Sequence, residues 1–231
     1  MIEVWVAEDQ DPSPQLDEIE RLATRRGVKM LSVGRRRIES VARTYSSQGV
    51  IARAAPLEEV SLEDLCAGSS GAEPFILMLD GVHDPQNLGS LLRSADCAGA
   101  TGVVLARHRA AHITPAVTKV AAGAVEHLRI GVVPGIPNAL RTVEELGLVS
   151  IGLDPQAEQS IFDFGEEANG PVALVLGAEG RGLASLTRRR CTTLARIPQH
   201  GALESLNVAA AGAIACFELA RRRAASAAAR S

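Results

Sequence analysis

Ile197-Pro198-Gln199-His200-Gly201-Ala202-Leu203-Glu204-Ser205-Leu206-Asn207-Val208-Ala209 sets a polar Ser-x-Asn pair between an apolar strand, Thr192 to Ile197, and a long alanine-rich helix, Leu206 to Arg223. The carboxyl end of a strand and the amino end of the next helix meet at such a junction, and ligands of α/β sheets bind there. Asn87 to Ala98 and Gly177 to Gly182 also place glycines and polar residues just after apolar runs. Three such junctions in one chain point to a chemical site rather than to packing alone.

Outward from these junctions, the pattern alternates. Strands are expected at Phe75 to Leu79, Gly102 to Ala106, His127 to Val133, Leu148 to Leu153, Val172 to Leu176 and Thr192 to Ile197. Helices are expected from Pro85, near Thr114 to Ala122, near Asn138 to Leu146, near Leu183, and from Leu206. Strands alternating with helices give an α/β fold with a mainly parallel sheet covered on both faces. The first 66 residues form a smaller α/β module: Ile2 to Ala7, a helix around Leu16, Ile19 and Leu22, Val28 to Val33, a helix near Arg35 to Arg43, and Gly49 to Ala54. A stretch of small residues, 67–74, reads as the linker, and 75–231 as the larger domain.

Composition narrows the function classes. A chain of 231 residues, 46% hydrophobic, is long enough to bury a proper core. A net charge of −3 argues against gripping nucleic acid through bulk positive charge. The arginines nevertheless cluster at Arg25-Arg26, Arg35-Arg36-Arg37, Arg107 with Arg109, Arg188-Arg189-Arg190 and Arg221-Arg222-Arg223, which leaves room for a local basic surface or for plain solvated helix ends. Cys66, Cys97, Cys191 and Cys216 are widely spaced and read as reduced packing residues. No apolar run approaches the roughly 18 residues of a membrane span, and no secretory signal pattern opens the chain, so the expected compartment is the cytoplasm.

Each junction also has a bland reading. Asp84 can cap a helix that starts at Pro85; Leu88, Leu91, Leu92, Ala95 and Ala98 then share a core stripe, and Arg93 faces away from it. Gly177-Ala178-Glu179-Gly180-Arg181-Gly182 matches neither the dinucleotide fingerprint nor the phosphate loop, though its glycines allow close backbone approach to a ligand. Ser205 is the expected cap of the last helix, with Asn207 in its first turn, and Ala209 to Ala213 allow another helix to come near. Histidines 83, 108, 112, 127 and 200 show no metal spacing, and no Ser/His/Asp set can be assembled, so no metal and no covalent nucleophile are expected.

Taken together, Leu79-Asp80-Gly81-Val82-His83-Asp84-Pro85-Gln86-Asn87-Leu88-Gly89 through Ala95, Leu174 through Gly180, and Ile197-Pro198 with Ser205-Leu206-Asn207-Val208 resemble, in order and spacing, the three motifs of the SpoU (TrmH-like) RNA 2′-O-methyltransferases of the SPOUT class. The resemblance covers residues 75 to 223 and is nearest to the branch that methylates a guanosine ribose in 23S ribosomal RNA. It implies a C-terminal trefoil knot, S-adenosyl-L-methionine as cofactor, an RNA partner and a homodimer packed at the knot. Local topology rules alone would not have suggested a knot. By position, the resemblance assigns Asn87, Arg93, Glu179, Ser205 and Asn207 to the reaction site, and Gly177, Ile197, Leu206 and Asn207 to cofactor contact. Residues 1–66, with Gln48-Gly49-Val50, look like the L30e-like RNA-binding module of this branch, which normally begins with an extra strand and helix; here Met1 opens what looks like its second strand. Family members usually carry a hydrophobic residue at Gln199 and a different run from Gly201 to Ser205.

The implied chemistry is an in-line displacement by a ribose hydroxyl, so the site has to align and stabilise that oxygen. Arg93 suits an electrostatic role better than that of a base, because a guanidinium does not give up its proton cheaply. Glu179 is expected to orient Arg93, with Asn87 and Asn207 positioning ribose and cofactor. Three functions stand at this stage: ribosomal RNA 2′-O-methylation; the same chemistry on transfer RNA or on a ribosomal site conferring antibiotic resistance; and a catalytically silent RNA-binding or ribosome-assembly role, against which the retained Arg93, Glu179, Ser205 and Asn207 argue.

Overall fold

The computed structural model describes residues 1–42, 48–68, 73–107, 110–165, 168–203 and 205–230. Arg43, His108, Arg109 and Glu204 therefore lie outside the described residues. The chain divides into two compact units, Met1–Leu57 and Glu58–Ser231.

In the first unit, β1 (Glu3–Ala7), α1 (Pro14–Arg25), β2 (Lys29–Val33), α2 (Arg35–Val41) and β3 (Val50–Arg53) follow the expected order. The Ser13 hydroxyl accepts from the Leu16 N–H at 3.2 Å, and Pro14 opens α1, a combination that starts a helix sharply. The sheet runs β2-β1-β3, with β1 parallel to β2 and antiparallel to β3. Two consecutive left-handed residues, Gln48 (φ 53°) and Gly49 (φ 75°), lead into β3. The Gly49 carbonyl accepts from the Ala7 N–H at 2.8 Å, which starts the antiparallel pairing at the end of β1.

The second unit holds a six-stranded, all-parallel sheet in the order β6-β5-β4-β8-β7-β9. Its strands are β4 (Phe75–Asp80), β5 (Gly102–Ala106), β6 (Ile130–Val133), β7 (Val149–Leu153), β8 (Val172–Gly177) and β9 (Thr193–Ala195). Its helices are α3 (Leu62–Cys66), α4 (Pro85–Cys97), α5 (Pro115–Ala121), α6 (Ile136–Glu145), α7 (Ser185–Arg190) and α8 (Val208–Arg230). Alternate residues of the central strands feed two cores. Leu77, Leu79, Leu174 and Leu176 meet Leu91, Leu92, Cys216 and Leu219 of α4 and α8 on one face. Ile76, Met78 and Val175 meet Leu65, Leu140 and Val143 of α3 and α6 on the other. Burial of both faces is why β4 and β8 read as unbroken apolar runs.

The structure departs from the expected pattern at identifiable places. Residues 58–66, read as the end of the first module, pack on the second unit: Leu65 of α3 is fully buried, and its side chain occupies the room left by Gly102 and Gly131, where a Cβ would come within 2.6 and 2.9 Å of it. Strand β6 starts at Ile130 rather than His127, because Ala124–Glu126 form a 3-10 turn. Helix α8 runs to Arg230, beyond Arg223. Gly212 in α8 faces inward, where an added Cβ would lie 2.2 Å from Leu91 Cδ2 and 2.7 Å from Leu176 Cδ1. At this position the small residue serves contact between α8 and α4 rather than a seam between molecules. Cys97 is exposed, not packed.

The C-terminal arginines are fastened internally. Arg222 donates to Glu218 at 2.6 Å and to the carbonyls of Phe162 and Phe164, while Arg223 donates to the carbonyls of Glu73 and Gly170 and lies 5.7 Å from the Phe75 ring centroid. Among the described residues, no helix is long and apolar enough to cross a membrane, and no group of three or more His, Cys, Asp or Glu side chains could hold a metal ion.

Gly212→Ala is expected to cost about 1–3 kcal/mol through overpacking, read as a lower urea midpoint with an unchanged slope. In a thiol-labelling time course, Cys97 should react in the native protein, whereas Cys66 and Cys216, whose thiols burial pushes up to about 11 and about 12, should react only on unfolding.

Candidate active site

Strands β4 and β8 are neighbours, with Asp80 in register with Gly177 at their carboxyl ends. From β4 the chain proceeds outward to β5 and β6, whereas β8, β7 and β9 lie on the other side. The β4–β8 boundary is thus the switch point where an open α/β sheet leaves a crevice.

Two turns rise from this boundary. After β4, Gly81 (φ 87°) redirects the chain, and the Asp84 side chain accepts from Gln86 N–H at 3.1 Å to cap α4. After β8, Ala178 and Gly182 exchange N–H···O bonds of 3.0 and 2.9 Å, closing a tight loop over Gly180 (φ 75°) and Gly182 (φ 67°). Gly177 lies beneath it, and a Cβ there would sit 2.0 Å from the Gly182 carbonyl carbon. The missing side chain at Gly177 therefore lets the loop approach its own strand.

Glu179 projects from this loop to the α4 turn. One carboxylate oxygen accepts from the His83 N–H at 3.3 Å; the other accepts from the Asp84 N–H at 3.4 Å and from Asn87 Nδ2 at 3.1 Å. Asn87 in turn accepts on Oδ1 from Asn207 Nδ2 at 3.0 Å. The Asn207 Oδ1 accepts from the N–H groups of Ala209 (2.8 Å) and Ala210 (3.3 Å). Asn207, not Ser205, is therefore the cap of α8: the helix begins two residues later than expected, and Asn207 Oδ1 meets the first free N–H groups. One chain of hydrogen bonds, Glu179–Asn87–Asn207, joins segments that lie far apart in sequence.

The other expected site residues divide. Ile197 is half-buried and lines a cleft of about 370 Å³ with Pro155, Gln156, Arg196, His200 and Leu203, beside the ends of β7 and β9. Gly177 is buried at the strand end, while Ser205 and Leu206 are exposed. Arg93 is exposed on the solvent face of α4. Among the described residues, no hydrogen bond or ion pair links it to Glu179, whose oxygens are taken by Asn87 and the turn. The expectation that Glu179 orients Arg93 is corrected accordingly: Glu179 orients Asn87.

Two acids at strand ends have roles that the sequence reading did not assign. Asp80 accepts from the Ala184 N–H at 3.3 Å and from the Thr187 hydroxyl, tethering α7 to the end of β4. Asp154 is buried just past β7; it accepts from the Gln156 N–H at 2.8 Å and pairs with Arg188, which braces one wall of the cleft. The available signal was an acid directly after an apolar strand, in Leu79-Asp80 and Leu153-Asp154.

Burial pushes the Glu179 carboxyl up, but hydrogen bonds from its own backbone N–H, the Asn87 amide and the N–H groups of His83 and Asp84 outweigh it and hold the group below the ordinary glutamate value. It is ionised at neutral pH, as an acceptor from four donors has to be.

Comparison with known proteins finds likeness over both units. The profile of the SpoU rRNA Methylase family matches residues 74–217, and that of RNA 2′-O ribose methyltransferase substrate binding matches residues 1–60. The 23S rRNA (guanosine-2′-O-)-methyltransferase RlmB of Photobacterium profundum is 38% identical over 96% of this chain and 90% of its own length. That of Ralstonia nicotianae is 40% identical over 90% and 83%. Among solved structures, an AdoMet-bound rRNA methyltransferase from Sinorhizobium meliloti superposes with a TM-score of 0.74 at 27% identity, covering 95% of this chain and 79% of its own.

Asn207→Ala should destabilise the start of α8 by about 1 kcal/mol, seen as faster hydrogen exchange at Ala209 and Ala210. Asn207→Asp keeps the capping oxygen but loses the donor to Asn87, so exchange in α8 should stay slow while it rises in the Glu179 loop. The pH profile follows from the lowered Glu179 pKa: its stabilisation is complete above the unfolded-state value of about 4.3 and is lost as pH falls through the lower folded value. Amide protection in residues 177–183 should therefore stay level from neutral pH to about 5 and collapse only in stronger acid.

Proposed function

The chain belongs to the SpoU rRNA methylase family, and from that membership we propose that it transfers a methyl group from S-adenosyl-L-methionine to the 2′-hydroxyl of a guanosine ribose in 23S ribosomal RNA. The observation that carries this reading for the chain's own residues is the Glu179–Asn87–Asn207 hydrogen-bond chain at the switch point. Three separate segments converge there on one ionised group and two amides, a larger polar set than the cap of α8 alone requires. A catalytically silent protein would have no need to hold them so.

The cleft beside Ile197 fits the cofactor in kind. At about 370 Å³ it lies within the roughly 300–1,000 Å³ of small-molecule pockets, and Pro, Ile and Leu side chains mix there with Gln156, Arg196 and His200. Bound there, S-adenosylmethionine supplies an electrophilic methyl on a sulfonium. The backbone at Gly177, Ile197 and Leu206 is assigned to its contact, supported for Ile197 by its place in the cleft wall.

The remaining work falls to this chain's side chains. Glu179 holds Asn87, and Asn87 holds Asn207, so both amides meet ribose and cofactor already oriented, which lowers the entropy cost of alignment. Ser205, exposed next to this pair, is a hydroxyl donor for the RNA. The Arg93 guanidinium stabilises the developing alkoxide or the neighbouring phosphate. Its solvent-facing position on α4 suits a group whose counter-charge arrives with the RNA. The proton leaves to solvent or to phosphate.

The first unit serves as the RNA-binding module, in keeping with the substrate-binding profile over residues 1–60, and 75–231 as the catalytic domain. The trefoil knot and the homodimer belong to the same proposal. From the edge strand β9 the chain passes alongside the loop after β7, with Arg196 N–H on Gln159 O at 2.8 Å, before returning to α8 on α4. Ile214 and Phe217 of α8 are exposed at helical spacing, Phe217 by 51%, and offer an apolar seam for a second copy. The cytoplasm is the proposed compartment.

Tritiated S-adenosylmethionine incubated with unmodified 23S ribosomal RNA and with transfer RNA, followed by mapping of the labelled ribose, tests the assignment: label is expected at a guanosine of the ribosomal RNA, and label in neither RNA would sink it. Arg93→Ala should lower turnover by ~10²–10³ with cofactor affinity nearly intact by calorimetry. Phe217→Asp should convert a dimer to a monomer in light scattering.

A further inference from the structure

Helix α7 follows directly on the loop that carries Glu179, and at six residues it is too short to hold its shape without outside support. Its one fully buried side chain is polar, that of Thr187, while Ser185, Leu186, Arg188 and Arg189 are exposed. The Thr187 hydroxyl donates to Asp80 Oδ2 at the end of β4, and the same oxygen accepts from the Ala184 N–H at 3.3 Å. Ala184, the residue before α7, carries no capping group of its own, so an acid 104 positions away fixes this end of the helix. We propose that Asp80 and Thr187 are positioning residues for methyl transfer: their bond seats α7 so that the loop between β8 and α7 presents Glu179 to Asn87. The proposal rests on the reading of the second unit as a methyltransferase.

The loop depends on anchors at its ends. Residues 178–182 put no side chain into either core, and Ala178 and Gly182 bond to each other, so the loop is closed on itself. At one end Gly177 lies in the sheet, in register with Asp80. At the other, Leu183 is buried in the core of α3 and α6, and the Asp80 carboxyl group holds Ala184 and Thr187. Asp80 thus serves both ends of the loop, through its backbone register and through its side chain.

The two acids of this region work from opposite faces of the sheet. Side chains alternate along a strand, so Asp80 shares the face of Ile76 and Met78, whereas Leu77 and Leu79 face α4 and α8. Asn87 on α4 and Asn207 at the start of α8 lie on that second face. Asp80 therefore acts on the candidate site through the loop and not by contact with substrate. Where packing alone were needed, an apolar residue would fill the place of Thr187. A buried hydroxyl bonded to an acid fixes direction as well as volume, and its loss leaves the acid short of a partner. Alignment is what such a bond contributes, since a misplacement of about 1 Å far from the chemistry can cost ~10²-fold in rate.

The test uses the full chain. Thr187→Val keeps the shape and lacks the hydroxyl, Thr187→Ser keeps the hydroxyl, and Asp80→Asn keeps an oxygen where both donors meet and loses only the charge. Thr187→Val is expected to lower kcat on 23S ribosomal RNA by ~10–10²-fold with the RNA Kd unchanged in filter binding. Thr187→Ser and Asp80→Asn should keep most of the wild-type kcat. Carboxyl NMR titration gives a readout that needs no turnover. Burial raises the Glu179 carboxyl, while its own N–H, the Asn87 amide and the N–H groups of His83 and Asp84 hold it below the ordinary value. In Thr187→Val, with Asn87 and the α4 turn no longer met, the Glu179 pKa should rise. Asp80→Ala removes the acceptor itself and should reproduce both changes if Thr187→Val does not fold. Wild-type kcat and an unmoved Glu179 titration in the folded variant would overturn the proposal. So would an equal loss in Thr187→Ser, which would mark packing of the methyl group, or in Asp80→Asn, which would mark charge. If the wild-type chain transfers no methyl to the RNA, the methyltransferase reading fails while the Glu179 titration still decides whether Asp80 and Thr187 position the loop.

Discussion

The side chain of Asn207 does two things at once, and the candidate active site of the second unit depends on it. Its oxygen ends the run of free N–H groups at the start of α8, and its nitrogen bonds to Asn87, which is held by Glu179. An amide carries its donor and its acceptor on one carbon, so aspartate, which has no donor, or alanine, which has neither, would keep at most half of the arrangement. The helix that covers the central strands is thereby capped by the same side chain that joins the candidate site. Ionised Glu179 anchors the far end because four donors converge on it in a partly dry setting.

Close packing of backbone is the second constraint. Gly177 admits the loop that carries Glu179, Gly212 admits α8 onto Leu91 and Leu176, and Gly102 with Gly131 admit Leu65 beneath β5 and β6. In each case the glycine is needed for what sits against it rather than for its own dihedral freedom. A Cβ at Gly177 would meet the backbone of Gly182, which cannot yield as a flexible side chain can, so this position is the least forgiving of the four.

The arginines explain how a chain of net charge −3 can act on RNA. Several of the clusters that stand out in the sequence serve structure. Arg188 pairs with Asp154, Arg190 donates to the Pro137 carbonyl and to Asn138, and Arg222 and Arg223 clamp α8 to carbonyls of distant loops. In the first unit Arg35 faces Asp9, and Arg37 lies 5.0 Å from the Trp5 ring centroid. Arg93, in contrast, is exposed on α4 and makes none of these internal contacts.

Much of the fold and part of the site were legible in the sequence. Hydrophobic periodicity located the described strands of both sheets, the cap at Asp84 marked a helix start, and Asn87, Glu179 and Asn207 stood out as polar residues at strand-to-helix junctions. These features are local, set by neighbours within one or two turns, and a sequence displays them directly. What the tertiary structure alone decided is which junctions meet. Glu179 bonds to Asn87 across 92 positions, and Asn207 to Asn87 across 120, so neither the partner of Glu179 nor the capping role of Asn207 could be read from spacing. The same holds for Leu65, whose place on the second unit depends on two glycines in distant strands. Periodicity reports which face of an element is buried; it carries no record of what lies against that face, and in this protein the site is made from those long-range contacts.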